Sequence, residues 1–273
     1  MHRRSITEKD VHPDDSHSGA WASSSVLAGN RWLVDTFICH RGFHNDNSSC
    51  PENSMRAFEI AAQKGLAIEL DVQLLTDGEI AVFHDSSALR MTGVDRLIVN
   101  CEAHQIRKMR LLDSDQTVPL LDDVIDLVRG EVPLLIEMKG FGSMGLFEKT
   151  IVKKLKGYGG PFALQSFNPR VLLWLKMRSP HIPRGQVSGS LEDVKLAWHR
   201  KVLVRNLLTN GFTRPHFISY EAACIPNMKR VRALRTKMPV IGWTVRSLEQ
   251  YKRVKRYCDN IIFEGFDPST ACI

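Results

Sequence analysis

What most limits the fold of this chain is an alternation. Eight β-rich runs are separated by stretches of helical periodicity. The runs are 35–40 (DTFICH), 66–75 (LAIELDVQLL), 132–139 (VPLLIEMK), 161–167 (PFALQSF), 184–189 (RGQVSG), 216–220 (HFISY), 239–245 (PVIGWTV) and 260–265 (NIIFEG). The first intervening helix is read over 52–65. Asn53 or Ser54 can cap it, Met55, Phe58 and Ala62 form its apolar stripe, and Gly65 stops it. Others follow at 121–130, at 146–160, after Asn168-Pro169, from Ser190 to about Leu208 with Ser190 and Asp193 as a capping box, at 226–237, and after Ser247. Strands interleaved with helices imply a parallel sheet. Eight units in roughly 240 residues favour a closed (β/α)8 barrel over an open sheet.

The alternation breaks once. Between Gln73 and Pro119 there is no strong amphipathic helix. That stretch reads as a hairpin and a small insertion, at about 85–118, on the loop after the second strand. Such loops sit at the active-site face of barrels. The expected organisation is α/β: a leader over 1–30, disordered or peripheral, and a (β/α)8 TIM barrel over 31–273 carrying that insertion. No helix follows the eighth strand. The segment 20–33 (AWASSSVLAGNRWL) is placed to cover that side or to close the barrel bottom.

Composition excludes several classes. No apolar run reaches 18 residues, so no transmembrane helix and no stable membrane insertion are expected. The N-terminus is charged and lacks the apolar core of a signal peptide. Six cysteines are scattered without a C-x-x-C pair, which reads as reduced thiols in the cytoplasm and speaks against zinc. A net charge of +7 favours anionic partners. The basic residues are spread through helices with no aromatic interleaving, so a nucleic-acid face is not expected. Nothing in the sequence sets an oligomeric state.

The run 66–75 poses a chemical question. Leu66, Ile68, Leu70, Val72 and Leu74 share one face, and Glu69 and Asp71 stand together on the other. Two buried, unpaired carboxylates would cost several kcal/mol or more. The turn at Asp77-Gly78 folds this strand back on itself. With a two-residue turn, Thr76 pairs with Glu79, Val72 with Phe83 and Asp71 with His84; a bulge shifts this by one. His40 and Arg41 end the first run, and Glu137 and Lys139 share a face of the third. In a barrel these strand ends converge on one mouth. Glu69, Asp71 and Glu137 then supply oxygen ligands for a hard divalent cation, Mg²⁺ or Ca²⁺, which would neutralise the pair. The remaining histidines (His44, His104, His181, His199 and His216) have no such company and read as surface or core. Cys39 reads as structural.

These motifs, in this order, resemble the glycerophosphodiester phosphodiesterase family, in its cytosolic bacterial type. They are His40-Arg41-Gly42, Pro51-Glu52-Asn53-Ser54, Glu69-Leu70-Asp71-Val72, Asp77-Gly78, His84-Asp85, Val118-Pro119-Leu120, Glu137-Met138-Lys139, Gln165-Ser166-Phe167-Asn168-Pro169 and Trp243-Thr244-Val245. The resemblance implies a TIM barrel with an insertion after its second strand. It makes Glu69, Asp71 and Glu137 metal ligands, His40 and His84 the acid/base pair, Arg41 and Lys139 phosphate contacts, Glu52 a metal ligand or its support, and Trp243 a wall for the alcohol. It departs from the family at Cys39, where a small apolar residue is usual, and at Phe263-Glu264, where a Thr-Asp pair is more common.

The expected activity is metal-dependent hydrolysis of a small glycerophosphodiester to sn-glycerol 3-phosphate and an alcohol. Two alternatives remain. One is lysophospholipase D-type hydrolysis, with Leu97, Ile98, Val99 and Met109 as an apolar lip. The other is a non-catalytic barrel that binds anionic lipid.

Overall fold

The structure, a computed structural model, describes residues 25–45, 47–140, 144–192 and 197–269. Eight parallel strands close on themselves: β1 (Ile38–Cys39), β2 (Ala67–Leu74), β4 (Leu134–Met138), β5 (Phe162–Ser166), β6 (Arg184–Ser188), β7 (Phe217–Glu221), β8 (Val240–Val245) and β9 (Asn260–Phe263). β1 pairs with both β9 and β2, which shuts the barrel. The short β3 (Ile80–Val82) runs antiparallel to the last part of β2 and lies outside the closed ring. This is the (β/α)8 barrel expected from the alternation.

The barrel interior follows the period of two that strands impose. Ile38, Ala67, Leu135, Ala163, Phe217, Ile241 and Ile262, one from each of seven strands, form a single apolar cluster. The eighth strand contributes Gly185, where a Cβ would lie 2.1 Å from the Phe217 ring. Phe217 thus fills the space that Gly185 leaves. Leu27, Trp32 and Leu33 join this cluster from below. Asn260 Nδ2 donates to the carbonyls of Leu33 and Thr36 at 3.0 and 2.7 Å and ties that segment to β9. The described part of 20–33 therefore closes the barrel bottom. Leu27 lies within the span read as leader; residues 1–24 lie outside the described residues.

Outward-facing residues such as Leu70, Ile136, Leu164, Ile218 and Val240 meet the helices in a second, larger cluster. Helix Met55–Gln63 starts where Ser54 Oγ accepts from Ala57 N, and helix Pro169–Arg178 where Asn168 Oδ1 accepts from Arg170 N. The stretch expected to be one helix from Ser190 to Leu208 contains helix Trp198–Arg205 instead. Residues 193–196, including the Asp193 of the expected capping box, lie outside the described residues.

Two further expectations need correction. The β2–β3 register is one residue off the tight-turn count: Val72 opposes Val82, and Leu74 opposes Ile80. Leu75 N donates to Glu79 O at 2.8 Å, so three residues make the turn, and Gly78 takes the left-handed conformation such a turn needs (φ +86°). Asp71 O accordingly accepts from Phe83 N, and His84 falls one position beyond. The insertion has its own small core, built on Met91, Ile98, Cys101, Ile106, Met109 and Leu111. Ile98 and Met109, expected on an apolar lip, are buried there, while Leu97 and Val99 are exposed.

Candidate active site

Two residues beyond each apolar position of the lower barrel layer, a new layer begins. In chain order it holds His40, Glu69, Glu137, Gln165, Ser219, Trp243 and Glu264. The same alternation carries Asp71 and Lys139 one step higher on β2 and past the end of β4. Asp71 and Glu137 stand in register on these adjacent strands.

Glu69, Asp71 and Glu137 are all buried, with ligand oxygens within 4.8 Å of one another. Two cations face them. Lys139 Nζ lies 3.0 Å from Asp71 and 2.5 Å from Glu137. Arg41 Nε lies 3.2 Å from Asp71 Oδ2, and its backbone N donates to Glu69 Oε2 at 3.1 Å. Asn53 Nδ2 adds a bond to Asp71 Oδ2 at 3.1 Å. Protein cations are thus the first answer to how two carboxylates survive on one buried face.

The answer is incomplete, because three carboxylates face two cations. Burial pushes the Asp71 carboxyl up, but Lys139, His84, Arg41 and His40 outweigh it and hold the group well below the usual carboxylate range. Both histidines are therefore within electrostatic reach of Asp71. At Glu69 burial is the largest cause, and Asp71 and Glu137 add to it, so its carboxyl is raised well above the ordinary value. A small, charged, all-oxygen donor set with one member held against its ionisation fits a hard dication, which would restore the missing charge.

Each expected histidine has a carboxylate on Nδ1. His40 Nδ1 contacts Glu264 Oε2, and Glu264 is further held by Arg246 Nε at 2.6 Å. Burial lowers His40 to about 4 despite the Glu264 contact. His84 Nδ1 lies 2.7 Å from Asp85 Oδ1. Its ring is more open, with a third of the side chain exposed. A carboxylate on Nδ1 fixes the proton there and leaves Nε2 as the exchanging atom.

Glu52 sits behind Arg41. Its carboxylate accepts from Arg41 Nη1 at 2.8 Å, Asn47 Nδ2 at 3.1 Å and Arg90 Nη2 at 2.6 Å. Burial pushes it up, but Arg90, Arg41 and Asn47 together bring it down to about 2. Trp243 is half-buried and meets Phe167 edge to face at 5.6 Å, and Lys139 Nζ lies 5.9 Å from the Phe167 ring centre.

Four residues at the mouth are given no role in the site by the sequence: Glu264, His44, Arg90 and Asn53, the last read only as a helix cap and part of a motif. Glu264 stood out only as a departure, yet its place two residues after inward-facing Ile262 marks it as a mouth residue. His44, read as surface or core, is buried with Nε2 3.6 Å from Glu264. No pattern in the sequence marks His44, because the left-handed turn at Arg41 and Gly42 brings it back to the mouth.

The model of the glycerophosphoryl diester phosphodiesterase family matches residues 40–264, from His40 to Glu264. The chain belongs to this family. It is a phosphoric diester hydrolase. A glycerophosphodiester phosphodiesterase of Caldanaerobacter subterraneus is 26% identical over 248 residues, covering 85% of this chain and 94% of its own. One of Bacillus altitudinis is 38% identical over 111 residues, 37% of this chain and 44% of its own. Among solved structures, an Oleispira antarctica phosphodiesterase in complex with the product sn-glycerol-3-phosphate superposes with a TM-score of 0.69 at 20% identity, over 88% of this chain and 96% of that one. A Thermotoga maritima glycerophosphodiester phosphodiesterase gives 0.64 at 20% identity, over 84% and 94%. Among the described residues, no helix is long and apolar enough to cross a membrane.

Proposed function

We propose that this chain hydrolyses glycerophosphodiesters to sn-glycerol 3-phosphate and an alcohol, with Mg²⁺ or Ca²⁺ held by Glu69, Asp71 and Glu137. The observation that carries the reading is convergence on Asp71: three carboxylates, two cations and two carboxylate-held imidazoles meet at one barrel mouth. When bound, the cation would supply Lewis-acid charge neutralisation to a phosphoryl oxygen. Arg41 and Lys139 stabilise the negative charge that grows on the phosphoryl oxygens. Glu52 keeps Arg41 aimed at the mouth.

His40 and His84 move the protons through Nε2. Burial keeps His40 neutral near pH 7, which fits it to take the proton of the nucleophile. His84, more open, protonates the departing alkoxide. Trp243 and Phe167 wall the organic group. Trp243 Nε1 is buried without a hydrogen-bond partner among the described residues and is left to donate to a glycerol hydroxyl. The folded unit over 31–273, with its insertion, is one catalytic domain in this reading. Its five described cysteines are free, which suits a cytoplasmic enzyme.

The test is release of glycerol 3-phosphate from glycerophosphocholine with Mg²⁺, with Ca²⁺ and with chelator. Turnover that persists in chelator would sink the metal assignment. Full activity in His40→Ala or Glu69→Gln would sink the residue roles. A second reading, lysophospholipase D-type hydrolysis, has one observation in its favour: Leu89, Leu97 and Val99 are exposed on the insertion. Rates on glycerophosphocholine and lysophosphatidylcholine separate the two.

A further inference from the structure

Helix Trp198–Arg205 faces the wrong way for a helix of a soluble barrel. Of its eight residues only Val204 is buried. At 3.6 residues per turn, the positions most nearly opposite Val204 are Val202 and the exposed His199, with the apolar Trp198 and Leu203 flanking them on either side. Trp198, Val202 and Leu203 are 77%, 45% and 42% exposed. The apolar stripe that should meet the core meets water instead.

The barrel holds the helix by its last turn. Ser188 Oγ donates to Val204 O and Tyr220 Oη to Arg205 O, both at 2.9 Å. Ser188 ends β6 and Tyr220 is next to last in β7, so this anchoring is level with the catalytic mouth. Residues 194–220 contain no Asp or Glu and carry Lys195, Arg200, Lys201, Arg205 and Arg214. Acidic residues flank this stretch but do not line it: Glu192, whose carbonyl accepts from Lys201 Nζ at 3.1 Å, precedes it, and Glu221 follows it.

We propose that this helix docks the barrel mouth onto an anionic phospholipid surface. Tryptophan favours the membrane–water interface, and an exposed apolar face rimmed by arginine and lysine is the pattern of an interfacial helix. A helix of eight residues cannot span a bilayer, so the contact is peripheral. A second copy of the chain would bring the same positive charge to the same face, which disfavours self-association there. The helix makes this contact whatever diester the mouth hydrolyses.

The experiment is co-sedimentation of the full chain with vesicles of phosphatidylcholine alone and of phosphatidylcholine with phosphatidylglycerol. The chain is expected to bind the anionic vesicles only, less at raised salt, with a blue shift of tryptophan emission. Trp198→Ala with Leu203→Ser should weaken binding by about tenfold, and Arg200→Glu with Lys201→Glu should abolish it. Trp198, Leu203 and Arg200 are exposed and Lys201 is half-buried with one bond to the Glu192 carbonyl, so circular dichroism melts of both double variants should stay close to the wild type. The proposal fails if the chain ignores anionic vesicles, binds both kinds equally, or binds unchanged in both variants. It fails as well if the chain is a dimer in sedimentation that the Trp198 variant splits, since the face would then belong to a second copy.

Discussion

Arg90 Nη2 donates to Glu52 Oε1 at 2.6 Å and so ties the insertion to the loop after the first strand. The same guanidinium grips Asp85 through Nε at 2.5 Å and Nη2 at 3.1 Å. Asp85 in turn meets His84 Nδ1, and Glu52 holds Arg41. One arginine thus orders both the open histidine and the cation beside Asp71. Arg90→Ala should lower kcat about tenfold through these positioned groups. Arg90 is 46% exposed, so the stability cost should be only about 1 kcal/mol. Arg90→Lys should restore little, because an ammonium cannot span both carboxylates as the planar fork does. Steady-state kinetics on the three proteins check this. Equal kcat values would show that the bridge does not support catalysis.

Glu69 separates stability from function. Its carboxyl is raised by burial, Asp71 and Glu137, so in metal-free protein its charge opposes folding. Glu69→Gln should therefore stabilise the chelated protein, by on the order of 1–2 kcal/mol or a few degrees in melting temperature. The same change should abolish hydrolysis and remove the stabilisation that added Mg²⁺ or Ca²⁺ gives the wild type. Thermal melts with chelator and with cation read both effects. A Glu69→Gln protein that still gains stability from the cation would remove Glu69 from the ligand set.

Lys139→Met tests the opposite side of the balance. The substitution keeps most of the stem but leaves Asp71 and Glu137 with one cation fewer. Removing one partner of a buried pair costs about 3–5 kcal/mol. Urea unfolding of the chelated protein should show a loss of that size. Added divalent cation should return more stability to this variant than to the wild type, because of the two protein cations only Arg41 then remains beside these oxygens. A cost below about 1 kcal/mol would mean that Lys139 does not form a strong buried pair with Asp71 and Glu137.

The barrel and much of its mouth were legible because both follow one rule. An inward apolar residue near the start of a strand is followed, two positions on, by a residue of the site: Ala67 by Glu69, Leu135 by Glu137, Ile38 by His40. Ile262 and Glu264 obey it as well, so Glu264 was readable by the same count. What local pattern does not encode is chain reversal. The three-residue turn ending at Gly78 moved His84 one step from its expected partner, and the left-handed Arg41-Gly42 pair returned His44 to the mouth. Arg90 was hidden for another reason. Its role depends on how the insertion packs, and an arginine on a four-residue helix carries no periodic signal.

His216 gives a pH dependence whose sign follows from geometry. Its Nδ1 accepts from Arg184 N at 3.2 Å, and its own backbone N donates to Arg184 O at 2.8 Å. The buried Arg184 guanidinium is held beside it by the carbonyls of Thr213 and Arg214. Burial first, and Arg184 second, lower the imidazole from 6.5 to about 4. Protonation would remove the acceptor and place a second cation beside Arg184. The unfolded chain binds this proton at a higher pH than the folded one. The stabilisation is therefore complete above pH 6.5 and is lost as pH falls through the folded value near 4. His40 shifts the same way, so the contribution of His216 is isolated by comparison with His216→Asn, whose side-chain oxygen can still accept from Arg184 N without titrating. Between the two values the wild type should lose stability more steeply than the variant, by on the order of 1 kcal/mol per pH unit. Urea unfolding of both proteins across that range checks it, and parallel curves would show that His216 is not held neutral by the fold.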